Sequence, residues 1–170
     1  DPSDVVAIYS RGLEYLTQGR FEDAQKDIDE AYKLGLKVPE VRASQDYVQF
    51  MTNTPFSKEG QQAYQNLEAA VAEKPQDALF RTYLAEIQQA RADVVAIYSR
   101  GLEYLTQGRF EDAQKDIDEA YKLGLKVHEV RANKAYVQFM TNPFSPSSSL
   151  EGRQAYQNLS AVVAEEPQDA

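Results

Sequence analysis

The stretch DVVAIYSRGLEYLTQGRFEDAQKDIDEAYKLGLKV fills residues 4–38 and returns letter for letter at 93–127, an offset of 89 residues. Beyond this run of 35 identities the match loosens but persists. PEVRASQDYVQFMTNTPFS (39–57) faces HEVRANKAYVQFMTNPFSPSSS (128–149), and EGQQAYQNLEAAVAEKPQDA (59–78) faces EGRQAYQNLSAVVAEEPQDA (151–170). A fixed internal period marks a repeat architecture, in which each unit buries its apolar face against a neighbour. The chain divides into copy one at 1–78, copy two at 93–170, and LFRTYLAEIQQARA (79–92), which follows only the first copy.

Natural duplications drift fastest at exposed positions, where packing constrains least. An untouched run rich in surface residues points to a very recent duplication or a deliberate one made in the laboratory. The deliberate origin is the preferred reading, and a fresh natural duplication is the alternative. The differences Ser44/Asn133, Gln45/Lys134, Asp46/Ala135, Glu68/Ser160 and Lys74/Glu166 read as retouching of the polar surface of one copy.

Apolar periodicity predicts helices throughout. Val5, Ile8, Gly12, Tyr15 and Leu16 fall at helical intervals, with Asp4 placed to cap and Gly19 to stop the first helix. Phe21, Ala24, Ile28, Ala31 and Tyr32 repeat the spacing in the second, which Gly35 can end in the left-handed conformation. A third helix is expected from Pro39 through Val41, Tyr47, Val48 and Met51, and a fourth over Ser57–Glu73 with Ala63, Leu67, Ala70 and Val71 on one face. Copy two repeats the order, with Ser148 and Glu151 as a capping box before its last helix. From Asp77 to Gln107 there is no proline and one glycine, Gly101, so the last helix of copy one and the first of copy two are predicted to be one rod over 77–107. The alternative is a kink near Asp93, which can cap a new helix.

Composition narrows the function classes. With 42% apolar and 26% charged residues the chain can fold in water, and no apolar run reaches the roughly 18 residues of a membrane span. The first 15 residues lack a basic segment before an apolar one, so a soluble chain without a signal peptide is expected, expressed in the cytoplasm if it is engineered. A net charge of −9 opposes nucleic acid. There is no cysteine, and the single histidine, His128, stands where copy one has Pro39, which removes thiolate chemistry and leaves little for metal binding.

GLEYLTQGRFEDAQKDIDEAYKL (12–34) resembles a tetratricopeptide repeat: small Gly12, aromatic Tyr15, turn Gly19, aromatic Phe21, then small Ala24 and Ala31. Gly101, Tyr104, Gly108, Phe110, Ala113 and Ala120 repeat it, and Ala63, Leu67, Ala70 and Pro75 supply another second helix, copied as Ala155, Leu159, Val162 and Pro167. The pattern departs at Arg11, where the family usually has a large aliphatic residue, and at Leu36, where it often has proline. The second units run 39 residues (Ala24 to Ala63) and 42 residues (Ala113 to Ala155), longer than the usual repeat of about 34. The resemblance implies an all-α solenoid of about eight helices with a long shared central helix.

Candidate chemistry is sparse. The acids Glu22, Asp23, Asp27, Asp29 and Glu30, repeated as Glu111, Asp112, Asp116, Asp118 and Glu119, read as a solvated face laced by Glu22–Lys26 and Asp29–Lys33 pairs. Ser145, Ser147, Ser148 and Ser149 form a turn-rich loop without a base nearby. No phosphate loop, calcium loop or nucleophile elbow occurs, so no enzyme and no cofactor are expected. In the resembled family the first helix of each unit lines a concave groove. Val6, Tyr9 and Leu13, with Val95, Tyr98 and Leu102, lie off the face of Ile8, Gly12 and Tyr15, and need cover from a third helix, a peptide or another chain. Because 79–92 has no counterpart after copy two, Leu159, Val162 and Val163 are expected to fray or to drive self-association. Partners are therefore expected to be protein or peptide.

Overall fold

The computed structural model describes residues 2–141 and, in the final segment, residues 153, 154, 157, 158, 160 and 161. Among these the elements are α1 (Pro2–Thr17), α2 (Phe21–Lys33), α3 (Pro39–Met51), α4 (Lys58–Glu73), α5 (Ala78–Thr106), α6 (Phe110–Lys122) and α7 (His128–Thr141), and no strand is present. Among the described residues seven helices stand where about eight were expected, and the described residues of the final segment are helical. The capping box at Ser148 and Glu151, the loop serines and the residues Leu159, Val162 and Val163 lie outside the described residues.

The helix ends follow local chemistry. Gly19 and Gly35 adopt φ of +69° and +106°, the left-handed region that releases a chain from a helix. Behind Gly35 the amide of Leu36 reaches back to the carbonyl of Ala31 at 3.0 Å. Pro39 opens α3 at the first turn, where its missing N–H costs nothing. Ser57 caps α4 by accepting from the Gly60 amide at 3.1 Å, and Asp77 caps α5 through the amides of Leu79 and Phe80 at 3.0 and 3.2 Å. Asp4 is a correction. α1 starts at Pro2, so Asp4 sits in the first turn, where a negative charge still favours the helix dipole. α5 runs 29 residues, about 43 Å at 1.5 Å per residue, and Asp93 lies inside it.

The chain partitions into two compact units, Asp1–Arg91 and Ala92–Ala170. In the first, α1 packs on α2, α2 on α3 and α3 on α4. Gly12 makes the α1–α2 crossing close, since a Cβ there would stand 2.9 Å from Ile28 Cγ1 and 3.3 Å from Asp27 Cβ. Ala24, Ile28, Val41 and Val48 form one buried cluster. Ala43, Tyr47, Phe50, Ala63 and Leu67 form another with Phe80, Tyr83 and Ile87 of α5. In the second unit Gly101 repeats the close approach, 3.0 Å from a Cβ to Ile117 Cγ1, and α6 packs on α7 around buried Ile117, Val130 and Val137.

Candidate interaction surface

Tyr9 on α1, Ser44 on α3 and Tyr83 on α5 bring three hydroxyls together. Ser44 Oγ donates to the Glu40 carbonyl at 2.9 Å, which leaves its lone pairs for Tyr9 at 3.0 Å and Tyr83 at 3.3 Å. Tyr9 Oη also lies 3.2 Å from the Glu40 carbonyl. The Tyr83 ring stacks on Tyr47 with centroids 4.2 Å apart and planes at 11°, and the Tyr47 hydroxyl donates to Glu86. Burial pushes the Tyr9, Tyr47 and Tyr83 phenols above their ordinary range, so they act as neutral hydrogen-bonding groups. The site holds helices in register.

Of the residues singled out in the sequence, Tyr9 is thus held by α3, and Leu13 is half-buried. Val6 stays 52% exposed. The second unit repeats this, with Tyr98 accepting from Asn133 Nδ2 at 2.7 Å, Leu102 half-buried and Val95 45% exposed. The third helix of the hairpin series therefore supplies the cover that the tyrosines need.

Two expectations are corrected here. The differences at 44–46 and 133–135 are not surface retouching, because Ser44 and Ala135 are buried and Gln45, Asp46, Asn133 and Lys134 are half-buried. The first two of these pairs preserve contacts: Ser44 and Asn133 each meet the tyrosine on the first helix of their own unit, while Gln45 bonds Asp29 at 2.7 Å and Lys134 pairs with Asp118. The acids of α2 are not one solvated face either. Asp27 is buried under Arg11, whose Nε and Nη2 reach its two oxygens at 2.5 and 2.7 Å. Arg100 and Asp116 repeat the fork at 2.6 and 2.9 Å. The guanidinium holds each carboxyl below the usual range, against the opposing effect of burial. Lys26 Nζ lies 3.6 Å from Asp23, and Asp29 serves Gln45.

In the second unit a cleft of about 270 Å³ is lined by Tyr121, Arg131, Lys134, Ala135, Gln138, Asn158 and Ala161. In the first unit Asn66 donates to Asp46 at 2.7 Å at the corresponding place. Ala135 removes that acceptor. Among the described residues no group of three or more His, Asp or Glu side chains is placed to hold a metal ion, and no helix is long and apolar enough to cross a membrane.

Helical hairpins packed in series, joined by polar hydrogen bonds between successive first helices, define a helical repeat fold. Residues 98–142 match the family model described as tetratricopeptide repeat, and 98–127 of that match are identical to 9–38. Neither a curated protein nor a solved structure matches the chain significantly. The chain thus carries a region similar to the tetratricopeptide repeat within a helical repeat fold of the α-solenoid class. Repeats of this family are in general interaction modules without catalysis.

Proposed function

We propose that the protein is a non-catalytic scaffold of two tetratricopeptide-like modules, 1–78 and 93–170, produced by duplicating one module and joined through a helix in which 79–92 caps the first copy and continues into the second. The 35-residue identity is the observation that carries the deliberate duplication. The helix assigned over Ala78–Thr106 supports the shared strut, because no glycine or proline interrupts QQARADVVAIY. Residual dipolar couplings in a weakly aligning medium test the reading. One alignment tensor fitting the amides of both α2 and α6 supports it, and tensors of different magnitude refute it.

A second reading is a natural adaptor that binds a peptide across Val6, Tyr9 and Leu13, or Val95, Tyr98 and Leu102. The exposure of Val6 and Val95 favours it. A peptide selected against the chain that loses affinity for Val6→Asp or Val95→Asp supports the adaptor, and one indifferent to both removes it.

A further inference from the structure

The same helix face is buried in one unit and partly exposed in the other. In α3, Ala43, Tyr47 and Phe50 pack under Phe80, Tyr83 and Ile87, and Tyr47 is 7% exposed. In α7 the corresponding residues are Ala132, Tyr136 and Phe139, followed by Met140 where α3 has Met51. Tyr136 is 40% exposed and Met140 39%, while Ala132 and Phe139 are half-buried. The side chains are alike, and in the first unit they are packed under α4 and α5.

We propose that the Ala132–Tyr136–Phe139–Met140 face of α7 is a docking site for an amphipathic helix from a partner. That helix presents an aromatic residue, a tyrosine three positions on and a β-branched residue four beyond it, as Phe80, Tyr83 and Ile87 do. The first unit supplies the template for each contact. The partner's tyrosine stacks on Tyr136 as Tyr83 stacks on Tyr47. A carboxylate three residues after it accepts from the Tyr136 hydroxyl, as Glu86 accepts from Tyr47. Asn133 donates to Tyr98, which leaves its carbonyl oxygen to accept from the partner's tyrosine where Ser44 meets Tyr83. A second copy of this chain is the poorer occupant. Its own Phe80, Tyr83 and Ile87 are buried on its own α3 and α4, held by a four-residue connection at high effective concentration. The site includes neither Val6 nor Val95 and does not depend on the scaffold reading.

The chain has two methionines, one on each face, which makes the test internal. Methyl-¹³C methionine spectra of the full chain are recorded while the capped peptide ALFRTYLAEIQQAR (78–91) is added, with Met140→Leu assigning the resonances. Met140 is expected to shift saturably below about 1 mM peptide while Met51 stays in place. A peptide with serine at the positions of Phe80, Tyr83 and Ile87 should bind at least about tenfold more weakly. A folded Tyr136→Lys chain should lose the response. No shift at either methyl overturns the proposal, as does equal movement of both, which means exchange with the chain's own segment. A Met140 shift that depends on protein concentration without peptide assigns the face to a second copy and also overturns it.

Discussion

Truncating one tyrosine in each unit measures how much the overlying helix contributes. Tyr47→Ala and Tyr136→Ala delete the same side chain from the same helical position, within YVQFM in both cases. Local propensity and the unfolded reference nearly cancel, which makes the difference more reliable than either loss. Tyr47 is 7% exposed and Tyr136 40%, a gap of about a third of a side chain that can bury roughly 200 Å². At about 25 cal/mol per Å² that gap is worth about 1.6 kcal/mol. The stacked Tyr83 ring adds about 0.5–1.5 kcal/mol. Tyr47→Ala should therefore cost about 2–3 kcal/mol more than Tyr136→Ala. Native-state hydrogen exchange at the amides of α3 and α7 reads each unit separately. Exchange in α3 of the first variant should accelerate about 30- to 150-fold more than exchange in α7 of the second. Equal acceleration, or a larger one at Tyr136, would refute the claim that Phe80, Tyr83 and Ile87 add to the burial of Tyr47.

Gly60→Ala should destabilise the first unit although alanine favours a helix by about 1 kcal/mol over glycine. Its Cβ would stand 2.5 Å from the Thr54 carbonyl oxygen, a backbone atom, so the 52–57 turn must move. A lower Tm is expected, and an unchanged or higher one contradicts the close approach. Asp27 and Asp116 have carboxyls held below their unfolded value near 3.8. Their contribution to stability is complete above that value and is lost as pH falls through the folded one. The Asp27→Asn, Asp116→Asn double variant should accordingly show a flatter loss of urea stability between about pH 4 and 2. Asp46 has the opposite sign. Burial raises its carboxyl above the unfolded value despite the Asn66 bond. Its favourable contribution is present below the unfolded value and disappears as pH rises through the folded one. Asp46→Asn should therefore raise Tm at pH 7 and leave it nearly unchanged below about pH 3; an effect independent of pH would contradict the shift.

The helices were legible because their signals are local. Gly19, Gly35, Pro39 and Ser57 each act within one turn, and the spacing of Ala24, Ile28 and Ala31 alone defines a buried face. Contacts between helices were not legible from periodicity. Arg11 was visible as a departure from the family pattern, yet its partner Asp27 lies 16 residues on, across a hairpin. The signal was present: Arg100–Asp116, Asp29–Gln45 and Asp118–Lys134 share the same separation, the register of adjacent antiparallel helices. Ser44 misled because a hydroxyl in a helix passes for a surface residue until Tyr9 and Tyr83 converge on it. Tyr9 and Tyr98 were recognised as needing cover, and the cover is α3 and α7.

The shared helix is tested most directly by a distance along it. The chain has no cysteine, so spin labels at Thr82→Cys and Ser99→Cys are unique, and both positions are exposed on α5. Seventeen residues of helix separate their backbones by about 25 Å. Double electron–electron resonance should give one narrow distribution centred near that value; a broad distribution, or two populations, would show that the helix breaks near Asp93 and that no strut joins the modules.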